Sequence, residues 1–272
     1  MFLTSYIFKS KAVRSLKGNW QTALIVSFIA GLPSTINALL RSTQLPEVTG
    51  YTYEAVLAAS QQVSAGSLWL LAVVGVCTFL FTPVLSLGCY NYFIKRIQGE
   101  ELGVMGVLSR RKVFLRALWL YVVMYIRIFL WSLLLIVPGI IAALRYAMAP
   151  YYMAENPELT AGEAIAKSKQ AMADKKLSLT LLLLSFIGWA LLALAVQVML
   201  LGFGVIIAMV AYQFIDLVRV TYMNAALSAF YLASSRTEGM EKAKEEADEF
   251  VKELRDGMPH GPSDDSGDDG EL

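Results

Sequence analysis

Apolar residues in this chain come in long uninterrupted runs, not at the alternating or three-four spacing of a soluble strand or helix. Residues 20–40, 67–94, 117–137, 177–201 and 205–233 each hold enough of them to cross a hydrocarbon slab about 30 Å thick at about 1.5 Å per residue. A shorter sixth run covers 139–154. The pattern predicts an all-α fold, a polytopic bundle of six transmembrane helices joined as three hairpins. It also divides the chain into a basic amphipathic segment (1–19), the membrane domain (20–233), an amphipathic helix (234–256) and a tail (257–272).

Positive charge orients the spans, because Lys and Arg in short connections stay on the cytoplasmic side. The amino-terminal segment carries Lys9, Lys11, Arg14 and Lys17 with no acid, and Lys95 to Arg116 holds six basic residues against Glu100 and Glu101. By contrast, 41–66 has Arg41 alone against Glu47 and Glu54. The stretch 155–176, with Lys167, Lys169, Lys175 and Lys176, belongs inside as well. An even number of crossings must then lie between Arg116 and Glu155. This makes 139–154 a span, with Val137, Pro138 and Gly139 as the outer turn. In the third run about thirteen Leu, Ile, Val and Phe residues at about 0.3–0.6 kcal/mol each outweigh the roughly 3 kcal/mol cost of Arg127. The fourth has only Ile140, Ile141 and Leu144 against Arg145 and should enter the bilayer only alongside its neighbour. Gly202, Phe203 and Gly204 form the last outer turn. Both termini are expected in the cytoplasm, and the absence of a small-x-small cleavage pattern leaves the first span in place.

A basic amphipathic stretch precedes each hairpin, at 8–18, 104–115 and 161–176, and Lys9-Ser10-Lys11 recurs as Lys167-Ser168-Lys169. Two readings are open: three degenerate copies of one unit, or ordinary anchoring to lipid headgroups. After the fourth span, Glu155-Asn156-Pro157 breaks the helix and Thr160 with Glu163 forms a capping box. Ala164, Ile165, Ser168, Ala171 and Met172 give the new helix a weakly apolar face. Met240, Ala243, Ala247, Phe250 and Leu254 repeat at helical spacing in a charged setting, and the acidic segment from Gly257 onward reads as disordered.

The chemistry for a reaction is absent. A lone histidine, His260 in the tail, leaves no imidazole for Ser-His hydrolysis or a zinc site, and Asp216 is the only acid well inside a span, so no facing carboxylate pair forms. No phosphate-binding glycine loop appears. Cys77 and Cys89 read as small buried hydrophobes. Neither an enzymatic activity, a metal nor a cofactor is expected, and no nucleic-acid partner. A hydrophobic content of 57% and a mean hydropathy of +0.55 agree with lipid as solvent.

What remains is intramembrane polarity: Arg127, Arg145, Asp216, Arg219 and Asn224. Asp216 and Arg219 stand three apart and can pair along one helix. Arg127 and Arg145 lack a local acid and must face protein, water or an anion. Pairing with Asp216, Gln197, Gln213 or Asn224 is the favoured reading, and an anionic ligand the sharper alternative. Ala225, Ala229 and Ala233 form a small-residue row for close helix packing.

Leu16-Lys17-Gly18-Asn19-Trp20, Arg145-Tyr146 through Ala149-Pro150-Tyr151 to Glu155-Asn156-Pro157, Glu163-Ala164-Ile165 with Ser168, and Tyr222-Met223-Asn224-Ala225-Ala226 to Phe230-Tyr231 resemble an uncharacterised bacterial family of multi-pass membrane proteins, domain of unknown function nine-seven-five. The resemblance runs from about Lys9 to Ala233. It implies six-helix topology and brings no activity. The expectation is therefore a non-enzymatic component of a bacterial-type plasma membrane, a scaffold or accessory protein binding anionic lipid headgroups or another membrane protein, of undetermined oligomeric state. The alternative is a small transporter or channel subunit with Arg127 and Arg145 lining a polar path.

Overall fold

The computed structural model describes residues 2–44, 63–106 and 113–235, with the isolated positions Glu245, Asp248, Glu249 and Lys252. Among the described residues all regular structure is helical. The seam expected at Met240 to Leu254, the acidic tail with His260, and the basic stretch 107–112 lie outside them, the four isolated positions aside.

The helices are α1 (Phe2–Leu16), α2 (Trp20–Gln44), α3 (Ala65–Ile97), α4 (Phe114–Leu134), α5 (Ile136–Tyr146), α6 (Ala149–Glu155), α7 (Ala161–Ala171), α8 (Lys176–Leu184), α9 (Ile187–Leu200) and α10 (Val205–Ser235). Four stretches are long and apolar enough to cross a membrane: Trp20–Arg41, Ala65–Ile97, Phe114–Leu134 and Lys176–Phe203. Only 17–22% of each apolar window is buried within the protein, so most of that surface faces outward. Water would penalise such a mantle at about 25 cal/mol per Å², whereas acyl chains accept it. The most extensive packing joins α2 to α3, α4 to α5 and α9 to α10, while α1 lies along α10.

Three sequence-based boundaries need correction. The turn after the third run is not Val137-Pro138-Gly139 but the single extended residue Leu135, and Pro138 falls in the first turn of α5, where its missing N–H is harmless. This tight turn brings Gly139 against Ser132, and a Cβ on Gly139 would overlap the Ser132 side chain. The run 139–154 is not one helix either. It is α5 and α6, separated at Ala147 and Met148, with Pro150 in the first turn of α6. Similarly, 177–201 is broken at Ser185 and Phe186 into α8 and α9. The last turn falls where expected, with Gly204 at φ +121°, a conformation that favours glycine.

Burial is concentrated at the end where the basic residues gather. Leu87, Tyr92, Phe93 and Ile94 of α3, Ala117 and Leu120 of α4, and Ala225, Ala226, Phe230 and Tyr231 of α10 close around Phe8, Ala12 and Leu16 of α1 and nearly all of α6. Phe8 meets Phe230 edge-on at 5.3 Å between centroids. Tyr151 stacks on Tyr90 at 4.3 Å and on Tyr231 at 5.7 Å. At the opposite ends of the same helices, Trp69, Val73, Phe129, Leu133, Ile207, Val210 and Phe214 are exposed.

Candidate functional site

The helix break between α5 and α6 is the best-defined polar feature. Its backbone groups cannot be satisfied by the helical ladder, and Ser168 of α7 supplies the missing partners. The Ser168 hydroxyl, fully buried, donates to the Arg145 carbonyl at 2.7 Å and accepts from the Met148 N–H at 3.2 Å. α7 is placed for this by its own start. The Thr160 Oγ1 accepts from the Glu163 N–H and the Glu163 carboxylate accepts from the Thr160 N–H at 2.8 Å, the expected capping box. The Thr160 hydroxyl also donates to that carboxylate at 2.8 Å, and the N–H and hydroxyl of Thr160 together hold the exposed Glu163 carboxyl below its ordinary value. Just ahead, the Asn156 N–H donates to the Tyr152 carbonyl and ends α6. The Glu155 carboxylate accepts from the Tyr231 hydroxyl and from the Gln98 amide at 3.3 Å, tying α6 to α10 and to the end of α3.

With α7 fixed across the break, Lys169 sits over the Tyr146 ring at 5.6 Å. Arg145 and Lys169 then share a cleft of about 300 Å³ whose remaining wall is Trp131, Pro138, Ile141, Ala142 and Tyr146. Two cations stand at this cleft with no acid in its lining, and an apolar wall runs from them along α5 toward the Leu135 turn. A phosphate or carboxylate bearing an alkyl chain fits that division.

Several other basic side chains counted in the sequence for orientation serve the helices themselves. Lys9 donates to the Ser185 carbonyl at the break between α8 and α9 (3.0 Å) and lies over the Phe186 ring at 4.6 Å. Burial there pushes its ammonium below the ordinary lysine value. Arg96 donates to the Ser15 carbonyl at the end of α1 (3.2 Å), Lys175 to the Ser234 carbonyl at the end of α10 (2.9 Å), and Arg116 to the Pro157 carbonyl beyond α6 (3.0 Å). Lys9 and Arg96 thereby meet carbonyls left unpaired where a helix breaks or stops, at the negative end of the helix dipole. Lys9 and Lys169 both lie over an aromatic ring at a helix break, although the Lys-Ser-Lys recurrence aligns Lys9 with Lys167 and Lys11 with Lys169. The aligned serines differ as well, since Ser10 donates to the Ile7 carbonyl of its own helix whereas Ser168 bridges the α5–α6 break.

The polar residues singled out within the apolar runs sort differently from the favoured reading. Asp216 pairs with Arg219 on its own helix at 2.6 Å, not with Arg127 or Arg145. Asn224 donates to the Cys89 sulfur at 3.7 Å. Arg127 is half-buried on α4 without an ion-pair or hydrogen-bond partner among the described residues, and it does not line the cleft with Arg145. Sequence reasoning singled out Arg145 but missed Lys169 and Trp131 as its companions. The helical phase of α7 was the available signal: Ala161, Ala164, Ile165 and Ser168 are its buried face, which leaves Lys169 at the edge beside the break. Among the described residues no group of three or more His, Cys, Asp or Glu side chains comes together.

Helices of this length and hydrophobicity, with an apolar surface turned outward, define a membrane-type helical protein. Over residues 133–238, which include α5 to α10 and the cleft residues Arg145 and Lys169, the chain matches the model of a family described as Protein of unknown function (DUF975), bearing out the resemblance read from Arg145 to Tyr231. The Leu16 to Trp20 motif lies outside the match. No curated protein and no solved structure matches the chain.

Proposed function

We propose that this chain is a multi-pass protein of a bacterial-type plasma membrane, crossing six times with both termini in the cytoplasm, and that it works without catalysis as an accessory or scaffold component that holds anionic lipid. The cleft of Arg145 and Lys169, cationic at one end and apolar along the other, carries this reading. An anionic headgroup would gain about 1 kcal/mol per well-placed basic side chain, and its alkyl part would lie against Ile141, Pro138 and Trp131. The pairing of α2 with α3, α4 with α5 and α9 with α10 supports three hairpins. As a fourth crossing, α5 and α6 together are about 30 Å long, and the break between them is buried in protein, the condition under which a membrane helix tolerates interruption.

The test is the lipid content of protein purified in a mild detergent, measured by mass spectrometry. Wild type is expected to retain anionic phospholipid, and Arg145→Gln combined with Lys169→Gln to lose most of it. Equal retention in the double variant rejects the cleft as the binding site. Anion flux in liposomes that vanishes in Arg145→Ala would favour the transporter reading instead.

A further inference from the structure

The outer faces of α2 and α10 enclose a second notch, of about 290 Å³, with a different character. On α2 its wall is Ser27, Gly31 and Thr35, one small residue per turn, with the exposed Phe28 beside them. On α10 it is Gln213 and Asp216 with apolar neighbours. Gln213 stands about 12 Å along α10 from Val205, and Gly31 about 16 Å along α2 from Trp20. In a slab about 30 Å thick both lie near mid-depth. The Gln213 side chain is exposed, and its amide has no hydrogen-bond partner among the described residues. Both guanidinium bonds from Arg219 fall on Oδ1 of Asp216. The pair retains 21% and 26% side-chain exposure.

Acyl chains offer these groups nothing to bond to, so a protein surface must cover them. We infer that the cover is a second copy of this chain, paired through α2 and α10 about a two-fold axis along the membrane normal. The inference rests on the membrane reading above. A second copy inserted in the same orientation presents its own Gln213 at the same depth by construction, whereas a different protein would need a polar group there by coincidence. A primary amide is both donor and acceptor, so two of them satisfy each other across the axis. Gly31 and Thr35 leave room beside Phe28 for the partner helix, and small residues combined with an interhelical amide are what holds helices together in lipid.

The test uses the full chain in phosphatidylethanolamine and phosphatidylglycerol liposomes. In a Cys77→Ser background, which removes the exposed thiol, Val210→Cys is expected to give a disulfide-linked dimer on mild oxidation. Fluorescence transfer between labelled copies, followed on dilution with lipid, should show Gln213→Leu weakening self-association by roughly three- to twentyfold. Gly31→Leu should abolish it. Thermal melting reports whether each variant is folded, and if Gly31→Leu is not, Gln213→Leu decides. A monomer at every protein-to-lipid ratio, an association both folded variants leave unchanged, or a different protein cross-linked at Val210→Cys would each overturn the pairing. Release of the wild-type protein by alkaline carbonate would overturn the membrane reading itself, while retention with a monomeric state overturns the pairing alone.

Discussion

The two ends of the helices are built on opposite principles. At the basic end, aromatic rings from α1, α3, α6 and α10 interlock around Tyr151 and Tyr231, and the helix breaks and ends there are closed by Ser168, Lys9, Arg96 and Lys175. At the other end the tips are bare. Leu133, Leu134, Leu135, Ile136 and Val137 at the α4–α5 turn are each 65–77% exposed, and Phe203 at the α9–α10 turn is also turned outward. The same helices run through both regions, so the difference lies in the solvent each end has been fitted to. Side chains that lipid already solvates gain little by burial. On the membrane reading, specificity is concentrated at the basic end, where water makes an unpaired carbonyl or a loose aromatic costly.

The sharpest way to break this contrast is to truncate one aromatic at each end. Phe230→Ala should destabilise by about 3–5 kcal/mol, and Phe203→Ala by no more than about 0.5 kcal/mol, in denaturant unfolding followed by helicity in micelles. Similar losses at both positions would mean that the exposed tips are packed against something in the bilayer. Next in size is Gly139→Val, which should cost about 1–3 kcal/mol or more. Gly139 fits closely against Ser132 where α4 and α5 meet, and loss of that fit should lower the melting temperature without changing the aromatic cluster's near-ultraviolet signal.

Ser168→Ala removes both partners of the α5–α6 break and should cost about 1–3 kcal/mol. It should also weaken lipid retention, since Lys169 is placed by the same helix. Thr160→Ala should cost about 1 kcal/mol through the lost cap. A pH signature accompanies it. The Glu163 pKa is depressed in the folded state, so its contribution is present above the usual carboxylate range and is lost as pH falls through the lowered value. The melting temperature of wild type should therefore fall in acid more than that of Thr160→Ala, and parallel profiles would show that the cap is not the source. The smallest effect belongs to a helix-end cation: Lys175→Met should cost about 0.3–1 kcal/mol at low ionic strength.

The apolar runs were legible in the sequence because hydrophobicity over twenty residues is a local property. The four stretches long and apolar enough to cross a membrane, the Gly204 turn, the Thr160 and Glu163 cap, and the Asp216 and Arg219 pair all follow from neighbours within a turn or two. Tertiary structure decided the rest. The breaks at Ala147 and Ser185 carry no proline or glycine at the break itself, and each persists because a distant side chain, Ser168 or Lys9, bonds the freed backbone. Arg145 met Lys169 instead of Asp216 for the same reason: α7 crosses the break, and no spacing along the chain encodes which helix lies over which. Periodicity assigns a residue to lipid or to protein; only the packing of the basic end, where backbone groups must find partners across the fold, determines which protein group it meets.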